Sequence, residues 1–329
     1  MRDRKMSNIL AKEEQNRRLE DKLRRELGEE IISKLNDPKI IEIMLNPDGK
    51  VWYDVIGEGL SDSSYKISKL QAENLLSTIA SVYNTVINTS SPILEVELPF
   101  WGSRFTAISA PVVSSPSFTI RKRPEKIWTL QDYLKRKIIT AHEIEIIRQA
   151  IVSRKNILIV GGTGSGKTTL VNALLHELFL SAPKDRILII EDTIELKSQL
   201  PNTIELRTSQ NIDINRCLRT ALRMRPDRII VGEIRGQEAS TLIKAWNTGH
   251  PGGISTVHAN SAAAGLIRIE QLIQEANIKP IGEIIAEAIN LIIFIERIKS
   301  SPWRKVKEIK EVKGYENGKY ILNFKATRI

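Results

Sequence analysis

The chain has 329 residues, of which 41% are hydrophobic and 27% charged, a composition that excludes a mainly disordered protein and allows two cores. Its 49 Lys and Arg exceed its 39 Asp and Glu, and the net charge of +10 by itself points to an acidic partner such as nucleic acid or anionic lipid. The single cysteine, Cys217, excludes an intrachain disulfide and a cysteine-based zinc cluster, and it favours a reducing cytosolic compartment.

The N-terminal segment, residues 1–36, carries many charges of both signs and predicts a helix. Leu19, Leu23 and Leu27 are spaced by four residues, so they share one helix face. A solvated amphipathic helix is the first interpretation, and a helix that binds a partner or a membrane surface is the alternative. No apolar segment follows the basic start and no run reaches the ~20 apolar residues of a membrane span, so neither a signal peptide nor a span is predicted.

Residues 37–123 predict a smaller α+β N-terminal domain. Two apolar runs, residues 40–45 and 50–55, flank a turn of sequence Asn-Pro-Asp-Gly, as in a strand pair. A helix is expected from about Lys66 to Ile87. Three more short runs, punctuated by Pro and Ser, indicate a small antiparallel sheet; they lie at residues 93–98, 104–110 and 117–123. The charged, proline-containing sequence that follows places an interdomain linker at residues 124–134.

Residues 135–300 predict an α/β domain. Short apolar runs alternate with helical segments; the runs lie at residues 156–160, 186–190, 203–206, 228–231, 254–257 and 291–295. Buried strands that alternate with helices are typical of a mainly parallel sheet covered on both faces.

A phosphate-binding loop is the clearest motif of the chain. Residues 161–168 read GGTGSGKT, a complete G-x-x-x-x-G-K-T, between an apolar strand and a helix. Backbone amides of such a loop point at phosphate oxygens, Lys167 would reach the β- and γ-phosphates, and the Thr168 hydroxyl would bind Mg²⁺. ATP and Mg²⁺ are therefore the predicted ligands. The predicted binding residues are Gly162, Thr163, Gly164, Ser165, Gly166, Lys167, Thr168 and Thr169.

Two acidic residues end later strands. Glu233 follows the run Arg-Ile-Ile-Val-Gly, the pattern of a Walker B acid that holds Mg²⁺, usually through water. Glu191 ends an additional strand between the two motifs, where a carboxylate can polarise an attacking water. The guanine-reading signature is missing, so the arrangement favours a hydrolytic motor over a GTPase switch. Which acid is the general base and which contacts Mg²⁺ stays open.

Four ordered segments carry a resemblance to a known family. GGTGSGKT, EDTIEL, RPDRIIVGEIRGQEA and KAWNTGHPGGISTVHANSA resemble the secretion ATPases of type II and type IV systems, and most of all their TrbB-like conjugal transfer branch. The resemblance implies a RecA-like P-loop domain after the N-terminal domain, with ATP bound between the two. It also implies a homohexamer that is cytoplasmic, peripheral on the inner face of the inner membrane, and partnered by inner-membrane components of the apparatus.

The resemblance also assigns roles to single residues. It makes Glu191 the candidate base, and it gives His258 and His250 the part of sensing the γ-phosphate. Arg104 and Arg121 match N-terminal-domain positions that face the nucleotide in the family. From the residues alone, such histidines are more often ordinary core or surface side chains. For Arg104 and Arg121, surface arginines beside a linker are the alternative.

The predicted function is an ATPase motor of conjugative transfer or type IV secretion that drives pilus assembly or substrate export. One cysteine cannot form the four-cysteine zinc site of many type II export ATPases, and this favours the conjugative branch. A type II secretion or type IV pilus extension motor is the alternative within the family. A DNA-binding or DNA-translocating protein is the alternative from a different class.

Most of the positive charge lies in the C-terminal tail. Residues 297–329 hold ten Lys and Arg against three Glu, a net +7 of the total +10. Residues 301–329 predict a basic hairpin packed on the ATPase domain, with lysines that protect an edge strand. Contact with anionic lipid is the alternative, and direct nucleic-acid binding is not expected. Trp303, Val306, Ile309 and Val312 recur every three residues, which matches neither a strand nor a helix.

Overall fold

The computed structural model describes residues 2–56, 58–123, 127–209 and 211–327, with side chains from residue 13 to residue 325. The chain divides into two compact units, Met1–Glu125 and Lys126–Ile329. None of the helices within the described ranges is long and apolar enough to cross a membrane.

Within its described residues, the first unit is a six-stranded antiparallel sheet with two helices. Its strand order is β3-β2-β1-β6-β5-β4. The strands are β1 (Ile40–Leu45), β2 (Lys50–Val55), β3 (Gly59–Lys66), β4 (Ile93–Glu97), β5 (Arg104–Ile108) and β6 (Ser117–Arg121). The helices are α1 (Arg2–Asn36) and α2 (Lys69–Val82). Helix α2 is shorter than the predicted Lys66 to Ile87, because Ser68 caps its start and Tyr83 its end.

Helix α1 contributes to the core of this unit. Leu23, Leu27 and Ile31 are fully buried in one cluster with residues of the sheet and of α2. The first interpretation, a solvated helix, is therefore wrong for this part of α1. The helix bends at Gly28, whose φ of +83° is a conformation that glycine adopts without strain.

The second unit is an eight-stranded sheet in the order β14-β13-β12-β7-β11-β10-β8-β9. Its strands are β7 (Ile157–Val160), β8 (Ile187–Glu191), β9 (Thr203–Arg207), β10 (Arg228–Val231), β11 (Ile254–Val257), β12 (Leu291–Arg297), β13 (Arg304–Glu316) and β14 (Lys319–Thr327). Strands β7 to β12 pair in parallel, and β13 and β14 are antiparallel additions. The mainly parallel sheet predicted from the apolar runs is therefore present.

Helices cover both faces of this sheet. They are α3 (Leu130–Lys135), α4 (Ala141–Val152), α5 (Lys167–Ser181), α6 (Ile214–Ala221), α7 (Glu238–Asn247), α8 (Ala262–Glu275) and α9 (Gly282–Ala288). Successive residues of β7 enter different cores: Leu158 packs with α6 to α9, and Ile159 packs with α4 and α5. This alternation explains why the strands read as continuous apolar runs.

Helix α3 lies inside the segment predicted as linker. Thr129 and Asp132 form a reciprocal capping box at its start, and Leu130 and Tyr133 are buried in the second unit. The prediction of a linker through residue 134 is therefore wrong for residues 130–134. Residues 124–126 lie outside the described residues.

A bulge explains the three-residue spacing in the tail. In the pairing of β12 with β13, Phe294 faces Glu308 and Ile295 faces Val306, so Lys307 is the extra residue. The bulge returns Val306 and Ile309 to the same core, and Val312 packs on the opposite face. The predicted hairpin is formed by β13 and β14, and it continues the sheet.

Candidate nucleotide-binding site

The phosphate loop joins the carboxyl end of β7 to the start of α5. Gly164 and Gly166 have φ of +67° and +95°, and Gly166 directly precedes the helix. Among the described residues, no heavy atom lies within 4 Å of the Cβ positions that Gly162 and Gly164 lack. The glycines thus allow a tight turn and leave room for a ligand beside the positive N-terminal end of α5.

Lys167 is the first residue of α5, and its ammonium group is folded back onto the loop. Its Nζ donates to the carbonyl oxygens of Gly161 at 3.0 Å and Gly162 at 3.1 Å. It also lies 3.3 Å from both ring nitrogens of His258, which follows β11. Lys167 is only 7% exposed, so a cation is held at the base of the loop where phosphate is expected.

Charged side chains continue from this lysine along the carboxyl ends of the strands. His258 Nε2 is 2.6 Å from Oε1 of Glu233, and Arg235 Nε donates to the other oxygen of Glu233 at 2.6 Å. Arg235 Nη1 then donates to Asp192 at 2.5 Å. These contacts form one chain through Lys167, His258, Glu233, Arg235 and Asp192. Its first link joins the Lys167 ammonium to the His258 imidazole, and each of the other three links includes a carboxylate. We call it the ion-pair chain.

Strand order explains why residues so distant in sequence meet. Strand β11 lies between β7 and β10, so His258 stands between the phosphate loop and Glu233. Parallel strands place their carboxyl ends at the same edge of a sheet, where α/β proteins bind ligands. The sequence motifs gave these residues but not their order across the sheet.

Glu191 ends β8 and is separated from β7 by two strands. Its carboxylate accepts bonds from the backbone amides of Glu195 at 3.1 Å and Leu196 at 3.1 Å. Asn172 of α5 ties the same segment to the helix, because its Nδ2 donates to the Glu195 carbonyl at 3.1 Å. Burial raises the pKa of Glu191 to about 7, although the two amide bonds lower it. Such a carboxyl group can take up or release a proton near neutral pH.

The remaining loop residues have the donors that a Mg²⁺-nucleotide requires. The side chains of Thr168 and Thr169 are half-buried in the first turn of α5, and Thr163 is exposed on the loop. Ser165 Oγ is buried and has no hydrogen-bond partner among the described residues. An orphaned buried hydroxyl in a glycine-rich loop fits a site that a ligand completes. The Thr168 hydroxyl and the Glu233 carboxylate are oxygen donors of the kind that Mg²⁺ prefers.

His250 does not join this group. It lies before β11, whereas His258 lies after it, so the strand separates the two histidines. The neighbouring Gly252 lies close to Arg228, the first residue of β10, and to Arg154, which precedes β7. His250 therefore lies on the amino-end side of β11, away from Lys167 and His258, and its predicted role in sensing the γ-phosphate stays a prediction.

Arg104 and Arg121 lie in the first unit. They are paired directly in the register of β5 and β6. Each arginine has a carboxylate at a long ion-pair distance: Glu95 lies 3.9 Å from Arg104, and Glu42 lies 3.7 Å from Arg121. Two like charges opposite each other are unfavourable, and these two carboxylates offset part of that repulsion. Their role toward the nucleotide stays a prediction.

Comparison with known proteins shows the family of the chain. The family described as "Type II/IV secretion system protein" matches residues 26–316. A "Probable conjugal transfer protein TrbB" of Sinorhizobium fredii is 45% identical over 305 residues, which are 93% of each chain. The "Type IV secretion system protein VirB11" of Bartonella quintana is 30% identical over 293 residues, covering 75% of this chain and 80% of the relative.

A solved structure shares the fold. The ATPase DotB of Legionella pneumophila matches with a TM-score of 0.61 and 20% identity, over 87% of this chain and 80% of that one. The resemblance seen in the ordered motifs is thus confirmed over most of the chain. The chain belongs to the type II/IV secretion system protein family.

Proposed function

We propose that the chain is a Mg²⁺-dependent ATP hydrolase, the motor of a conjugative transfer or type IV secretion system. The observation that carries the proposal is the meeting of Lys167, His258 and Glu233 behind an open glycine loop. Family membership and the conjugal transfer relatives support the cellular role. The second unit is then the RecA-like motor domain, and the first unit is its N-terminal α+β domain.

The loop and its lysine bind the triphosphate. Amides of residues 162–169 surround the phosphate oxygens, and Lys167 exchanges its carbonyl partners for them. Thr168 and Glu233 would hold Mg²⁺, which when bound offsets phosphate charge. Glu191 is the candidate base because its raised pKa lets it accept a proton from water near neutral pH.

The ion-pair chain gives the motor a way to register the nucleotide. Phosphate competes for the Lys167 ammonium that contacts His258. His258 is then left with Glu233, whose other oxygen is bound by Arg235. Loss of phosphate would restore the first contact. A change in the nucleotide would therefore be transmitted to Asp192, the last residue of the ion-pair chain, through direct contacts.

Assembly and location follow from the family. A homohexamer that is cytoplasmic, peripheral on the inner membrane and bound to inner-membrane components of the apparatus is proposed from the resemblance and from the VirB11-like relatives. Anionic lipid is a candidate contact for the basic hairpin, and direct DNA binding is not expected. Because the family description covers type II systems also, a type II secretion or pilus extension motor is the alternative.

Lys167→Ala tests the proposal. Removing the phosphate cation should lower ATP turnover at least ~100-fold, because one stabilising charge is worth several kcal/mol in a transition state. Lys184→Ala, which changes an exposed lysine of the same unit, is the matched control and should retain activity. In the native host, Lys167→Ala should abolish both DNA transfer and pilus production. Unimpaired turnover in Lys167→Ala would contradict hydrolysis at this site, and intact transfer would contradict the conjugative role.

A further inference from the structure

The end of β12 and the start of β13 lie against the phosphate loop. Strand β12 pairs in parallel with β7, so both end at the same edge of the sheet. The chain then turns through residues 298–303 and returns as β13, whose first residue, Arg304, faces Arg297 across the strand pair. The β12–β13 hairpin, with the basic residues Arg297 and Arg304, thereby stands next to the phosphate loop.

Two residues of this hairpin contact the loop directly. Arg304 Nε donates to the carbonyl oxygen of Gly164 at 3.2 Å. Its Cδ lies 3.0 Å from the place where a Cβ of Gly166 would be. The carbonyl oxygen of Ile295 lies against the corresponding position of Gly161. The hairpin therefore supports the loop at its first, fourth and sixth residues.

Backbone hydrogen bonds hold the hairpin in place. The turn is closed by the Ile298 amide, which donates to the Trp303 carbonyl at 2.9 Å. Strand β13 is fixed by the Val306 amide, which donates to the Ile138 carbonyl at 3.0 Å. In the loop, Arg304 contacts the carbonyl of Gly164, a glycine with open surroundings and a φ of +67°.

We propose that Arg304 is a positioning residue for nucleotide binding, which fixes the peptide between Gly164 and Ser165 and adds a positive charge behind the loop. Because a peptide is planar and trans, fixing the Gly164 carbonyl also fixes the direction of the Ser165 amide. In this structure that amide donates to the Gly162 carbonyl at 3.3 Å, inside the loop, and a bound phosphate would take the place of this acceptor. Glycine-rich loops depend on such amide directions to bind phosphate. The Arg304 hydrogen bond restricts Gly164 in particular, because glycine can adopt the widest range of backbone conformations.

The proposal rests on ATP binding by this loop, and it differs from an arginine that stabilises a transition state. The loop of this motif surrounds the α- and β-phosphates, so ADP and ATP should depend on Arg304 equally. A transition-state arginine would instead change kcat and leave ADP binding intact. The two roles thus differ in a measurable way.

The test is calorimetric titration of the full chain with ADP and with a slowly hydrolysed ATP analogue, together with steady-state kinetics. Arg304→Gln should weaken both nucleotides about tenfold and raise KM with a smaller change in kcat. Arg304→Lys keeps a charge and a donor, so it should recover most of the affinity. Arg297→Gln makes the same change at the exposed residue opposite and should bind as wild type.

Several outcomes would overturn the proposal. Affinity of Arg304→Gln within twofold of wild type would do so, as would an equal loss in Arg297→Gln or a loss confined to kcat. If Arg304→Gln does not fold, Arg304→Lys decides: affinity as low as in Lys167→Ala would contradict the role of the charge. Absence of nucleotide binding by the wild type would overturn the proposed function as well, and this outcome is distinct from the others.

Discussion

The two ends of the strands in the second unit both carry many charges, yet they are built differently. At the amino ends, Asp185 bridges Arg154 and Arg228 at 2.7 Å each. Arg228 also donates to the carbonyls of Gly252 and Ile151, and its side chain is only 3% exposed. At the carboxyl ends, the side chain of His258 is 46% exposed, and Gly162 and Gly164 of the phosphate loop face open space.

The difference shows how charge serves stability at one end and chemistry at the other. Burial lowers the pKa of Arg228, and the carboxylate of Asp185 opposes this effect, so the buried cation is compensated by fixed partners. Near the phosphate loop, the partners of Lys167 are carbonyls and a histidine, which phosphate can replace. A closed network resists ligands, whereas an open one exchanges partners with them.

The largest expected effect tests the closed end. Asp185→Asn keeps the shape of the side chain and removes its charge, which leaves Arg228 buried without a carboxylate. The free energy of unfolding should fall by ~3–5 kcal/mol in a denaturant titration of the full chain. Arg154→Gln removes the partner whose side chain is 40% exposed, and its cost should be ~1 kcal/mol or less. Equal losses in the two variants would contradict the view that burial of Arg228 makes this network structural.

A pH titration tests Glu191 at the open end. Its folded pKa of about 7 lies above its ordinary value of 4.5, so between these pH values the folded state holds a proton that the unfolded state has lost. Stability should therefore fall as the pH rises from 5 to 8, by about 3 kcal/mol from this group. Glu191→Gln, which keeps an acceptor for the Leu196 amide, should lack this part of the slope. An identical slope in both proteins, followed by urea unfolding at each pH, would contradict the buried ionisation.

Much of the fold could be predicted from apolar runs because the parallel strands are buried on both faces. Strand β10 has the same bounds as its run, residues 228–231. Strand β3 was not predicted, because Gly59–Lys66 is an edge strand whose residues are mostly polar and exposed. The three-residue spacing of the tail needed the bulge at Lys307, a feature of strand pairing rather than of sequence period.

The site was predictable as a set of residues and less so as an arrangement. Motifs supplied Lys167, Glu191, Glu233 and His258. The order of strands placed His258 between the loop and Glu233, and sequence spacing does not contain that order. Arg304 had no motif, because its contact with Gly164 arises from two chain segments that meet only when β12 pairs with β7.

The two histidines provide the smallest and most direct comparison of the two ends. His258→Ala removes the group between Lys167 and Glu233, so kcat for ATP should fall roughly tenfold to a hundredfold, the value of one or two contacts to charged groups. His250→Ala acts at the amino ends and should change kcat by no more than about twofold. Both variants are measured by steady-state ATP hydrolysis, with nucleotide affinity and the unfolding midpoint as controls. If His250→Ala lost as much turnover as His258→Ala while remaining equally stable, the amino ends would also take part in the chemistry. The division of labour between the two ends would then be wrong, because a side chain separated from the phosphates by β11 would act on them as strongly as one beside Lys167.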